Sequence, residues 1–299
     1  MQLLTLILWI FVSTTTLVFS LSNEIDSKEE VHFIKSIESL SEIPTYHEEQ
    51  TLFLFDLDDT VFDFPCMVGS KEWRKYIVKE TQKNATNYNF HDIFSYFLTK
   101  KHPVVTVESI TSQFIRKLQE NGHIVCGLTA RERNKWYDSD EDGVDKLTLS
   151  QLTSVNVFFD HEKLKNTYPS LSLESEYYKG TFFADIEPKG GYVLKIFKNA
   201  ATVPKKVIFI DDKFPQVESV AKALSELGIQ NECYHYKAIE KKAKLFSPLI
   251  ANIQLYYFCK SNGQKILSDE EAKLIAEKEP NNAANHYFQA ALELIVINK

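Results

Sequence analysis

Thr51-Leu52-Phe53-Leu54-Phe55-Asp56-Leu57-Asp58-Asp59-Thr60 is the stretch that decides the fold. Residues 52–55 are continuously apolar, the pattern of a strand covered on both faces rather than one alternating between core and water. The run stops abruptly in three carboxylates and a hydroxyl. The same design recurs twice. Residues 123–128 predict a second strand, running into Thr129-Ala130-Arg131, and residues 206–210 a third, running into Asp211-Asp212. Helical patterns separate these strands, so the expected class is α/β with a parallel, Rossmann-like sheet. In such sheets ligands bind beyond the carboxyl ends of the strands, and here three strand ends carry acidic or hydroxyl residues.

Working outward, residues 3–19 are mostly apolar and the first charged side chain is Glu24, which predicts an export signal over residues 1–22. No Lys or Arg precedes the run, and a retained membrane anchor is the alternative. An amphipathic helix is expected over 31–40. The core is expected over 45–240, with a small helical cap inserted at about 62–121, whose clearest helix spans 105–119. Two aromatic runs follow, 155–159 and 181–183, then a helix after Gly190-Gly191, a helix over 216–227 and a strand over 233–236. Residues 241–299 read as a helical extension. In it, Ser268 and Glu271 form the capping-box signature of a helix start.

The strand ends define the candidate chemistry. On an extended chain Asp56 and Asp58 point the same way. One carboxylate at a strand end can attack phosphorus, and a second two residues on can protonate the leaving oxygen and then activate water. Two such groups repel unless a cation or a proton intervenes. Asp211 and Asp212 extend the set into a hard oxygen-donor site of the kind that suits Mg²⁺; the expected metal ligands are Asp56, Asp58, Asp211 and Asp212. Thr129 is a candidate for holding phosphoryl oxygens. A lysine in the crevice would complete the charge balance, and both Lys189 and Lys195 are candidates.

Taken together, these residues resemble the four motifs of the haloacid-dehalogenase-like hydrolase superfamily. Asp56-Leu57-Asp58-Asp59-Thr60 is similar to its first motif, Thr129 to its second, Lys189 to its third and Asp211-Asp212 to its fourth. Residues 55–62, 127–131, 178–194, 208–213, 262–263 and 267–272 look more closely like an uncharacterised exported bacterial branch of that superfamily, a likeness covering roughly residues 45–280. The segment between the first two motifs is similar to that of secreted acid phosphatases. The resemblance implies a magnesium-dependent phosphohydrolase acting on a small phosphomonoester, with Asp56 as nucleophile and Asp58 as general acid/base. Gln216 departs from the pattern, standing where another acid often supports the metal. Phosphotransfer to an organic acceptor, and a non-catalytic envelope or partner-binding role for the same fold, are the rival expectations.

The remaining features exclude more than they add. The net charge of -7 offers no footprint for nucleic acid, and membrane association is expected only through the N-terminal segment. Cys66, Cys126, Cys233 and Cys259 form no C-x-x-C pair, and buried thiols and disulfides are both open. Asp138, Asp140, Asp142 and Gly143 have the spacing of a calcium loop, but Leu149 stands where the bidentate Glu belongs. Asn84-Ala85-Thr86 is a glycosylation sequon that matters only in a eukaryotic secretory pathway.

Overall fold

The computed structural model describes residues 33–83, 90–99, 103–133, 143–171, 173, 176–185, 187–280 and 282–298. The expected export segment, the sequon and residues 138–142 of the acidic loop lie outside the described residues. The strands are β1 Ile34–Ile37, β2 Leu52–Phe55, β3 Phe62–Asp63, β4 Val105–Thr106, β5 Ile124–Thr129, β6 Tyr177–Tyr178, β7 Thr181–Phe183, β8 Lys206–Asp211 and β9 Gln230–Tyr236. The helices are α1 Lys71–Lys83, α2 Phe90–Thr99, α3 Thr111–Glu120, α4 Val144–Ser154, α5 His161–Thr167, α6 Lys189–Phe197, α7 Phe214–Glu226, α8 Glu240–Ala243, α9 Pro248–Lys260, α10 Asp269–Ala276 and α11 Ala283–Asn298.

The class is α/β. Seven strands make one sheet in the order β1-β9-β8-β2-β5-β7-β6, parallel throughout except for the β6–β7 pair. The central strands are apolar at every position because each face is covered. Phe53, Phe55, Val125, Ile208 and Ile210 point to one face, where they join Phe114, Ile115 and Leu118 of α3. Leu52, Leu54, Ile124, Cys126, Val207 and Phe209 point to the other, against Val193 and Ile196 of α6 and Val217, Val220 and Leu224 of α7. This is the two-residue period of a strand expressed as two separate cores.

From β2 the chain moves outward to β5 and β7, then returns to the opposite side of β2 for β8 and β9. The strand order therefore reverses at β2, the place where open α/β sheets leave a crevice at their carboxyl ends.

Two local expectations are corrected. The helix over 31–40 is instead β1, followed by a 3-10 turn at Leu40–Glu42; the i, i+3 spacing of Ile34, Ile37 and Leu40 reads as helical, but the free edge of β9 captures the segment in register Ile34↔Cys233. The helix over 105–119 begins only at Thr111, because Val105 and Thr106 pair antiparallel with Phe62 and Asp63. The aromatic run at 155–159 is a loop that buries Val155 and Val157.

The helical extension does not stand apart from the insertion. Phe258 of α9 packs edge-on against Tyr96 and Phe97 of α2, with ring centroids 5.9 and 5.5 Å away. Gln254 Oε1 accepts the Val68 N–H at 2.9 Å, Asp269 accepts that of Met67 at 2.9 Å, and Asn252 donates to the Tyr76 hydroxyl at 2.9 Å. The Ser268–Glu271 capping box is present at the start of α10. No helix among the described residues is long and apolar enough to cross a membrane. All four cysteines are buried free thiols.

Candidate functional site

Sheet register brings the expected residues together. Phe55 is level with Ile210 of β8 and Gly127 of β5, and the Asp56 N–H donates to the Ile210 carbonyl at 2.9 Å. Asp56 and Asp211 are thus neighbours at two adjacent strand ends, and Thr129 closes the next strand, buried, its hydroxyl accepting the Arg131 N–H at 3.2 Å. Carboxylate oxygens of Asp56, Asp211 and Asp212 lie within 4.8 Å of one another, all three residues buried.

The start of α6 places Lys189, and not Lys195, among the carboxylates. Lys189 is its first residue, and its Nζ bonds Asp56 Oδ1 and, at 2.6 Å, Asp211 Oδ2. Lys195 lies six residues on, rotated far around the helix, and pairs with Glu176 at 2.9 Å outside the site. Two residues hold Lys189 in place. Gln216 Oε1 accepts the Lys189 N–H at 3.0 Å, so the residue that breaks the expected acidic pattern secures the start of α6. Gly190 lets α6 and α7 touch: a Cβ there would sit 2.2 Å from the Ser219 carbonyl oxygen, whereas one at Gly191 would meet nothing within 4 Å.

Burial sets the electrostatics. It pushes Asp56 up to about 8, aided by the Asp211 carboxylate and opposed by Lys189. It raises Asp211 likewise against the pull of Lys189. Burial disfavours the charge on Lys189 too, but Asp211 and Asp56 outweigh it and hold the ammonium protonated.

Asp58 is not part of the carboxylate triad. Arg131 grips it with two hydrogen bonds of 2.8 Å, from Nε and Nη2. The guanidinium is itself fixed by Thr148 at 2.9 Å, by Gln151 at 2.7 Å and by the Phe62 ring 4.9 Å away. Burial would raise the Asp58 pKa; Arg131 overrides it and holds the group at about 2. The folded value lies below the unfolded one, so this pair stabilises the fold at neutral pH and its contribution fades as pH falls from about 4 towards 2. Arg131→Met should therefore cost about 1.5–3 kcal/mol at pH 7, a gap that closes in acid. Urea titrations of both chains across pH 2–7 give the answer; a gap independent of pH would show that Arg131 acts through packing alone.

Sequence reasoning missed three contributors. Thr60 donates to Asp56 Oδ2 at 3.3 Å and accepts the Asp212 N–H at 3.1 Å, tying the two strand ends together. Lys71 of α1 reaches Asp212 Oδ2 at 2.5 Å. Arg74, one turn on, pairs with Asp59, which is buried and backbone-constrained at φ 69°. Thr60 was legible as part of the same acidic stretch. Nothing in the local sequence marks Lys71 or Arg74, because only the folding of the insertion carries them to the strand ends.

The donor set fits a hard divalent cation. It is oxygen-only, it is buried, and Asp212 Oδ1 is a buried atom with no hydrogen-bond partner. Asp56, Asp211 and Asp212 are the residues that could hold such an ion.

No solved structure matches the chain. Three chlamydial proteins are similar to it, each named "Putative outer membrane protein". That from Chlamydia trachomatis serovar D is 23% identical over 257 residues, covering 84% of this chain and 92% of its own. That from Chlamydia pneumoniae is 24% identical over 250 residues, covering 81% and 88%. That from Chlamydia muridarum is 23% identical over 255 residues, covering 84% and 91%. Residues 33–273 match the profile of the family described as "Protein of unknown function (DUF2608)", and the chain belongs to that family.

Proposed function

We propose that the protein is a phosphohydrolase with a haloacid-dehalogenase-like core, acting on a phosphomonoester through an aspartyl-phosphate. The observation that carries this reading is the buried Asp56–Lys189–Asp211 bridge across two neighbouring strand ends, with Asp212 beside it. A bound Mg²⁺ would supply charge neutralisation for the transferring phosphoryl group.

The chain's own residues account for the remaining steps. Lys189 and Thr60 orient the Asp56 carboxylate so that one oxygen faces phosphorus. Asp56 attacks, the ester P–O bond breaks, and the leaving oxygen takes a proton from Asp58. Arg131 must loosen its grip for the protonated form of Asp58 to populate. Asp58, again a carboxylate, then takes a proton from water; the water oxygen attacks phosphorus and Asp56 is released with inorganic phosphate. Thr129 accepts one hydrogen bond from backbone, which leaves its hydroxyl proton to donate to a phosphoryl oxygen.

The expected export signal and the name of the chlamydial relatives support an envelope or secreted location. A non-catalytic envelope role is the second reading, favoured by that name and by the Arg131 clamp on Asp58. The test is phosphate release from an aryl phosphate by the mature chain, with Mg²⁺ and with EDTA. Turnover that EDTA removes and that Asp56→Asn lacks supports the hydrolase; added alcohols that divert phosphate from water would indicate phosphotransfer. A folded chain silent on a broad phosphomonoester panel would favour the non-catalytic reading.

A further inference from the structure

Lys189 is built into the core of the site, but Lys71 comes from elsewhere. It opens α1, in the insertion, and its ammonium sits on Asp212 Oδ2 at 2.5 Å while its side chain stays one-fifth exposed. Asp212 has one oxygen taken by this ammonium and the other unpartnered and buried. Arg74, three residues on and therefore on the same helix face, holds Asp59. The first turn of α1 is thus tethered to the strand-end loops by two ion pairs, and only the Lys71 tether uses a candidate metal ligand.

We propose that Lys71 is an internal competitor for the divalent cation: it neutralises Asp212 in the metal-free protein and is displaced when the cation binds, so that loading the site releases one of the two tethers of α1. This rests on the cation site assigned above. The physical reason is charge. Asp212 lies beside two further buried carboxylates, and a lysine on a flexible stem is a replaceable cation there. A dication and an ammonium drawn to one carboxylate oxygen repel each other at close range. Arg74, engaged with Asp59 rather than with a candidate ligand, remains in place.

Calorimetric titration of the full mature chain with MgCl₂, without substrate and at constant ionic strength, tests the idea. Lys71→Met should bind Mg²⁺ roughly tenfold more tightly, the factor expected if Lys71 occupies Asp212 in about nine of ten metal-free molecules. Lys75→Met removes an exposed charge from the same helix, one paired with Glu72, and should leave the affinity unchanged. Asp212→Asn should lose the binding. Lys71→Gln serves as the second variant should the methionine form fail to fold. Unchanged or weaker binding by the Lys71 variants, with Asp212→Asn still losing it, would overturn the competitor while leaving the metal site standing. Equal tightening by Lys75→Met would reduce the effect to net charge and also overturn it. No Mg²⁺ binding by any form would remove the proposed metal site itself.

Discussion

Asp56→Asn should reduce phosphate release to background, a loss on the order of 10⁴-fold or more, because an amide cannot form the acyl-phosphate on which both half-reactions of the proposed mechanism depend. The same substitution should not unfold the protein. In the folded chain burial and Asp211 push Asp56 up to about 8, whereas in the unfolded chain it titrates as an ordinary carboxyl group. Between about pH 4 and pH 8 the folded state therefore binds more protons at this position than the unfolded state, and its stability falls as pH rises through that window. Asparagine carries no such penalty, so without metal the variant should gain on the natural chain as pH rises. Phosphate assays paired with denaturant titrations at pH 5 and pH 8 separate the two effects. An inactive variant that is also unstable at pH 8 would point to Asp56 as a structural ion-pair partner rather than a nucleophile.

Lys189→Met should be the most damaging change to the fold. It strands Asp56 and Asp211 in a site with almost no water contact, and breaking a buried pair from one side costs about 3–5 kcal/mol. For a domain near this size that is a fall in Tm of about 6–20 °C. Millimolar Mg²⁺ should restore part of the loss, because a cation bound only by the folded state stabilises it. A thermal melt with and without Mg²⁺ decides the matter; a variant within 1 °C of the natural chain would mean that Lys189 does not neutralise these carboxylates.

Much of this site could be read from one dimension because its chemistry lies where strands stop. An apolar run followed by acids is both a fold signal and a site signal, and Asp56, Asp211 and Asp212 meet for the same reason that Phe55 and Ile210 pair. Lys189 needed the start of α6, which the Gly190-Gly191 pair obscured until the approach to Ser219 explained one of the two glycines. Nothing beside Asp58 announces its clamp, because its guanidinium partner lies 73 residues away in sequence. The misread segments share a cause. β1 and β4 are four and two residues long, and each is a strand only because a partner elsewhere offers an edge, which local periodicity cannot register.

The packing of α9 and α10 against the insertion has a consequence for how the molecule is made. Synthesis delivers Asp56, Lys71 and Arg74 early, yet α9 and α10, which brace Met67, Val68 and α2, follow only after every described strand. Until then Tyr96 and Phe97 lack the cover of Phe258, so a partly made chain presents a sticky surface rather than a closed one. A product cut short near residue 240 would keep every strand-end carboxylate and still lack the brace that sets Lys71 and Arg74 over them. The setting of Lys71 and Arg74 thus depends on helices encoded well beyond the sheet.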